Sequence, residues 1–443
     1  MQIQVSRLRD LMELLKPAVP KKTTLAVTRY IHLGQGKAVA TDLESMIVVD
    51  LPEAQEEMLL PYFSLADAVK FIPGDAMLSI ETSGKKELAL SWPGGEAKYP
   101  TETPMDFPLL PDLKVRAESD INGDIFIPAI LAALPYVSTD QARPVLTGVT
   151  LVLGNPIEVA AGDGFRMSHQ VLGLSFPLEE KIIVPAHSVT ILGHVFAKTP
   201  RPAVLPVVIA RRPLHISLSG ENKLMVNFGS AAVVVNLIQG TPPEFIQLIP
   251  KGEPILQSLV FAPQLEAAVK RVRAIARDNE GIIRLEFANG KLMVSAKDED
   301  RYISVSLDTI STMGEPGRTA VNYTYLADYL SGKQGIITIS QYNKTGPISF
   351  QYQTSPRVLI MPMFVDWGDE KPGAPEKLEP VAEQPETSDE TAEGATSLEE
   401  QLEKEPEETA ALDDAVIAEQ EASEEPPAIA KPKRRRKQRV PGK

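Results

Sequence analysis

Three stretches of this chain repeat one pattern at domain-sized intervals, and that periodicity limits the possible folds more than any local motif. Segments 36–51 (GKAVATDLESMIVVDL), 156–174 (PIEVAAGDGFRMSHQVLGL) and 290–307 (GKLMVSAKDEDRYISVSL) each read as strand, turn, strand, with an aspartate at the turn: Asp42, Asp163 and Asp298. The aspartates lie 121 and 135 residues apart, far above solenoid length. Upstream of each lies an amphipathic helical pattern: VSRLRDLMELLKPA, PAILAALPYVST and PQLEAAVKRVRAIARD. A second series interleaves with the first, and its members FSLADAV and TYLADYL match almost letter for letter. The pattern predicts six β–α–β–β–β units, two per domain. Hairpin signals fall at Asn289-Gly290 and Gly220-Glu221-Asn222. One helix per unit predicts an α+β fold with a layer of sheets and a layer of helices. The expected division is domain 1 at 1–118, domain 2 at 119–252, domain 3 at 253–365, and a disordered tail at 366–443.

Charge is unevenly placed. The 443 residues carry a formal −14. Residues 367–430 hold 21 acidic and 3 basic side chains, residues 431–443 hold 8 basic and none acidic, and the rest of the chain carries only −4. The acidic, proline-rich stretch has too little apolar surface to offset the entropy of ordering, so it reads as a solvated tail with a basic tip, KPKRRRKQR. Overall charge does not advertise nucleic-acid binding, so any cationic site must be a local patch. The chain has no cysteine, which excludes disulfides and thiolate chemistry. The first residues lack the plan of a signal peptide and no apolar run approaches a membrane span, so a cytoplasmic location is the expectation.

Catalytic patterns are missing. His32, His169, His187, His194 and His215 show no metal-ligand spacing. His187 and His194 lie seven apart on a predicted helix and share a face. GQGKAV (34–39) lacks the third glycine of a dinucleotide loop. Asp163, Arg166, Ser168 and His169 sit close in sequence but without a nucleophile elbow, and neighbours on a strand point to opposite faces. The expectation is a protein that is not an enzyme and uses neither cofactor nor metal. Basic residues instead decorate the predicted helices and their ends: Arg7, Arg9, Lys16, Lys21, Lys22, Lys70, Lys198, Arg201, Lys270, Arg271, Arg273 and Arg277. If the helices share one side, that side is a cationic lining on an acidic body.

Five stretches in fixed order then carry a family likeness: RPVLTGVTLVL (143–153), AAGDGFRMS (160–168), PPEFIQLIP (242–250), VKRVRAIARDNEGIIRLEF (269–287) and VLIMPM (358–363). With the repeat they make residues 1 to about 365 resemble the bacterial DNA polymerase III beta subunit, the replicative sliding clamp. The resemblance implies three domains of the DNA clamp fold, sheets outside and helices inside. It also implies a head-to-tail homodimeric ring around duplex DNA, bound without sequence preference. Such a ring tethers a DNA polymerase III alpha-type subunit, the clamp loader and repair proteins through short peptides, with no membrane involved. Carried over by motif, the peptide pocket comprises Leu146, Gly164, Phe165, Arg166, Met167, Pro243, Gln247, Leu248, Pro347, Leu359, Met361, Pro362 and Met363, with Arg166 as its polar anchor. The dimer contact comprises Phe107, Ile275 and Ala276. The sequence departs from the family pattern at Met167, at Pro242-Pro243-Glu244-Phe245, at Phe364-Val365 and at Lys21-Lys22. Two other readings stand beside the main one: an accessory clamp paralogue for repair or a mobile element, and an unrelated β-rich enzyme or sugar-binding protein.

Overall fold

The structure, a computed structural model, describes residues 1–83, 86–108, 110–199, 212–353 and 356–367, all within one compact unit. Six units follow one another. The first is β1 (Gln2–Gln4), α1 (Val5–Leu15), β2 (Tyr30–Gly34), β3 (Lys37–Thr41) and β4 (Ser45–Asp50). The second is β5 (Met58–Pro61), α2 (Tyr62–Val69), β6 (Met77–Ser83), β7 (Glu87–Trp92) and β8 (Gly95–Pro100). The third is β9 (Val115–Asn122), α3 (Gly123–Ala133), β10 (Gly148–Leu153), β11 (Ile157–Gly162) and β12 (Arg166–Leu172). The fourth is β13 (Glu180–Pro185), α4 (Ala186–Lys198), β14 (Pro213–Ser219), β15 (Lys223–Asn227) and β16 (Ala231–Asn236). The fifth is β17 (Leu256–Phe261), α5 (Ala262–Ala276), β18 (Ile282–Ala288), β19 (Lys291–Asp298) and β20 (Arg301–Asp308). A short strand the sequence pattern did not signal, β21 (Ser311–Gly314), precedes the sixth: β22 (Gly317–Asn322), α6 (Tyr323–Leu330), β23 (Ile336–Gln341), β24 (Ile348–Gln351) and β25 (Arg357–Ile360).

Local chemistry accounts for these elements. Helix α1 buries Val5, Leu8, Leu11, Met12 and Leu15, the spacing of a single stripe. Helix α5 does the same with Leu265, Ala268, Val269, Val272 and Ala276. Asn122 and Asn322 cap α3 and α6 by accepting the N–H of Asp124 and Thr324. The β18–β19 hairpin turns on Asn289 and Gly290, both in the left-handed region at φ 52° and 72°.

Four antiparallel sheets result, in the orders β1-β6-β7-β8, β5-β2-β3-β4-β16-β15-β14-β9, β13-β10-β11-β12-β25-β24-β23-β17-β21 and β20-β19-β18-β22. The two large sheets each join one half-unit set to another through a single strand pair. Strand β4 pairs with β16, and β12 pairs with β25. In both cases the last strand of an odd-numbered unit meets the last strand of an even-numbered unit. The remaining two last strands, β8 and β20, end the two small sheets with no partner among the described residues. Helices pack pairwise, α1 with α2, α3 with α4, and α5 with α6, and α1 also touches α4. The main core lies between helices and sheets, while two small apolar clusters lie on the opposite faces of the large sheets. No described helix is long and apolar enough to cross a membrane.

Candidate functional site

The repeated aspartates are turn-formers. The Asp42 Oδ1 atom accepts the N–H groups of Glu44 and Ser45 at 3.0 and 2.7 Å, and Asp163 Oδ1 accepts those of Phe165 and Arg166, both at 2.9 Å. Each turn sits where a large sheet is joined, immediately before β4 or β12. Gly164, at φ 99°, lets the second turn close. Asp298 instead pairs with Arg301 across a hairpin.

Arg166 departs from the anchor role expected of it. Its Nε atom meets Asp163 Oδ2 at 3.1 Å, Nη1 meets Asp328 Oδ2 at 2.9 Å, and Nη2 donates to the Pro135 carbonyl at 2.8 Å. The guanidinium also lies over the rings of Tyr136 and Tyr325, at 5.4 and 4.6 Å, and its side chain is only 11% exposed. It is an internal strut tying β12 to the ends of α3 and α6, with each of its three nitrogens already bonded within the protomer. Burial pushes the Tyr136 hydroxyl up to about 12 despite the nearby cation.

The expected pocket residues divide between two places. Leu146, Met167 and Leu359 come together in the outer-face cluster with Ala160, Phe245 and Ile249. Met167 and Leu359 are direct cross-strand partners at the β12–β25 junction. Around them the apolar side chains of Phe165, Leu248 and Met361 stand 59%, 60% and 47% exposed, and the Met361 N–H donates to the Phe165 carbonyl at 2.8 Å. Pro243 is half-buried and Gln247 exposed on the 3₁₀ turn Phe245–Leu248 or just before it, and Pro347 is half-buried ahead of β24. Pro362 and Met363 turn away: the Met363 N–H donates to the Ala320 carbonyl of β22, and both residues line a separate cleft of about 500 Å³ with Arg318, Lys344 and Trp367. Sequence reasoning missed Phe245 as the floor of the cluster. Its signal was available, because TPPEF (241–245) repeats TPMDF (103–107).

Phe107 fills the corresponding place at the first junction. It is 5% exposed, stacked on His32 at 5.1 Å, within a cluster of Val27, Val39, Met46, Val48, Leu59 and Val234. Ala276 is wholly buried under α5. Burial removes both side chains from the expected dimer contact; Ile275 remains half-exposed. The two junctions are otherwise superimposable in register: Met46 faces Val234 as Met167 faces Leu359. They differ in bulk. Val39, His32 and Met225 at the first correspond to Ala160, Thr150 and Ser349 at the second. A cleft of about 510 Å³ lies at the first junction, lined by His32, Val39, Met105 and Phe107, and at Gly162 of the second even a Cβ would come within 2.7 Å of Phe245.

Helix-face cations are fewer than expected. Arg9 turns back to cap α2, donating to the Val69 carbonyl at 2.8 Å and also to those of Lys70 and Ile72. Arg7 pairs with Glu53, Lys198 approaches Glu13 at 3.9 Å, Lys270 meets Glu266 at 2.8 Å, and Arg277 meets Asp278 at 3.3 Å. Lys21, Lys22, Lys70, Arg271 and Arg273 stand exposed. Arg201 lies outside the described residues. His187 and His194 do not work as a pair: His187 bonds Asp42 at 2.9 Å and His194 the Glu13 carbonyl at 2.8 Å, each bracing α4 against the first unit. Among the described residues no cluster of His, Asp and Glu is arranged to hold a metal ion.

The family described as DNA polymerase III beta subunit, central domain, matches residues 120–244. The beta sliding clamp homolog GriR of Streptomyces muensis is 27% identical over 342 residues, 73% of this chain and 86% of that one. The beta sliding clamp of Pseudomonas putida is 23% identical over 381 residues, 82% and 98% of the two chains. Among solved structures, the DNA polymerase III beta subunit of Thermotoga maritima superposes with a TM-score of 0.73 at 17% identity, covering 82% of this chain and 99% of that one. A Pseudomonas aeruginosa sliding clamp bound to griselimycin gives 0.72 at 20% identity over the same shares. The protein therefore has the DNA clamp fold, with sheets and helices in separate layers. Residues 120–244 match the central domain of the DNA polymerase III beta subunit, and the chain is similar to beta sliding clamps over 86 to 98% of their length.

Proposed function

We propose that this chain closes as a homodimeric ring on duplex DNA and serves as a non-catalytic processivity factor in a bacterial cytoplasm. The observation that carries the reading is the junction rule. Inside the protomer, last strands of odd and even units pair twice; the third such pair, β20 with β8, is not made among the described residues and would be made between two copies. Two copies joined head to tail satisfy both free edges at once, and a heterologous contact that closes makes a ring. The domain division at 118 and 252 enters here, since each predicted domain then supplies two units. Exposed Lys21, Lys22, Lys70, Arg271 and Arg273 would meet phosphates without reading sequence.

The β12–β25 junction, with its exposed apolar rim, is the docking pocket for short apolar segments of polymerases, clamp loader and repair proteins. Phe165, Leu248 and Met361 form its adaptable rim and Phe245 its floor. The relation to the griselimycin-bound clamp supplies a probe. Calorimetry with griselimycin should give one site per chain, lost on Met361→Asp; an unchanged isotherm in that variant would remove the pocket from this junction. The accessory-clamp reading is favoured by the pairing of Arg7, Lys198, Lys270 and Arg277 with carboxylates. Retention on nicked circular DNA, and release when the circle is cut, tests the ring for either reading.

A further inference from the structure

Strand β25 ends at Ile360, yet the chain stays docked for seven more residues. Met363 extends it along the free edge of β22 by donating to the Ala320 carbonyl at 2.8 Å. Arg284 of β18 donates through Nη2 to the Asp366 carbonyl at 2.9 Å. The Trp367 ring then lies against two guanidinium groups, Arg318 at 4.8 Å and Arg284 at 5.3 Å. These arginines come from neighbouring strands: Arg284 faces Ala320 and Glu286 faces Arg318 in the β18–β22 register. Asp366 and Trp367, expected in the tail, are thus held against β18 and β22.

We propose that Trp367 is a latch, a positioning residue that holds the segment Met361–Met363, and with it the exposed Met361 side chain at the β12–β25 junction, in place by fixing the chain just beyond it. The segment has no sheet ladder of its own. It is tied upstream by one bond, Met361 to Phe165, and downstream by Met363 to Ala320 and by the Trp367 clamp. Phe364 between them is fully exposed and anchors nothing. A planar indole over two planar guanidinium groups is a directional contact that resists lateral slip of the chain in a way that an apolar plug does not.

The consequence for binding rests on the pocket reading, but the latch itself is measured without any ligand. Amide hydrogen exchange on the full chain should show Met361 and Met363 protected in the native protein. Trp367→Ala should lower protection at both by about tenfold while leaving the β18–β19 amides unchanged. Trp367→Phe keeps a ring over the cations and should restore most of it, whereas Trp367→Leu should not. In a Trp92→Phe background the fluorescence of Trp367 reports the stack directly, and Arg318→Gln should shift it. Griselimycin affinity in Trp367→Ala should fall several-fold, chiefly through faster release. Unchanged protection at Met361 and Met363 in Trp367→Ala overturns the latch, as does equal rescue by Phe and Leu. Loss of latch protection with unchanged griselimycin binding overturns its positioning role. If the native chain fails to bind griselimycin while the exchange results hold, the pocket reading falls and the latch stands.

Discussion

Arg166 shows how far a single residue can sit from the role its sequence neighbourhood suggests. Its three nitrogens are each bonded inside the protomer, and its plane lies over the rings of Tyr136 and Tyr325. Removing it leaves Asp163 and the Pro135 carbonyl without their partner in a half-dry junction. Arg166→Ala is expected to cost about 3 kcal/mol in urea unfolding, the usual scale for breaking a buried pair. Arg166→Lys should recover little, because an ammonium cannot span three acceptors or stack on Tyr325. A loss below half that size would mean the strut is dispensable. Protonation gives a second expectation. The Asp42 carboxylate raises the His187 imidazolium above its ordinary 6.5, aided by Glu44 and the Pro17 carbonyl, and Asp120 with Glu118 raises His215. A folded pKa above the unfolded one adds stability that is complete below about 6.5 and fades as pH rises through the folded value. His32 is lowered by burial and acts in the opposite sense. Melting temperature should therefore drop between pH 6 and 8 by less in His187→Asn than in the native chain; an identical slope would show that the junction ignores this proton. The turn aspartates were legible because an Asx turn is local chemistry. Arg9 was not: nothing in a helical cation's own sequence reveals that it reaches sixty residues away to cap another helix.

Elements were the most legible scale. Period-two and helical patterns placed all six β–α–β–β–β units, since each unit buries one face and must alternate accordingly. Strand β21 escaped because STMG offers no alternation to read, and only pairing with β17 makes it a strand. Which side chains cover each junction was equally hidden, because they come from residues far apart in sequence. Met225 roofs the first junction and Ser349 takes its place at the second. Ser349→Met should accordingly close the pocket, weakening griselimycin binding by more than about tenfold while the chain still folds, a methionine being adaptable in a small gap. Full affinity in that variant would show that this position does not border the pocket. The free edge of β8 allows a sharper test. Successive N–H groups on an edge strand point alternately inward and outward. Of Glu96→Pro and Ala97→Pro, one removes a bond to β7 and lowers the melting temperature. The other removes an outward donor and should lower dimer mass on dilution with the fold intact. If neither variant changes the dilution profile, β8 is not a subunit edge.

At the scale of the whole molecule, weak contact with DNA and long residence on it are compatible only if the link is topological. Phosphate contacts release counterions, so binding to a short linear duplex should fall steeply with salt, by a log–log slope of about one per cation engaged. In the proposed ring, retention on a closed circle would depend instead on whether the ring opens, which the β8–β20 edges and not the cations would set. The two quantities should separate. Arg271→Glu, made on an exposed helix position that no described ion pair involves, should weaken binding to a linear 30-mer and flatten its salt dependence. The same variant, once loaded on a nicked plasmid, should remain there through a high-salt wash as long as the native chain does. The β8 edge variant should do the reverse, binding the linear duplex normally per subunit but leaving the plasmid quickly. Charge and closure would then be independently adjustable, as an encircling ring requires. If the charge reversal empties plasmid and linear duplex in parallel, the protein holds DNA by surface contact alone and the ring is wrong.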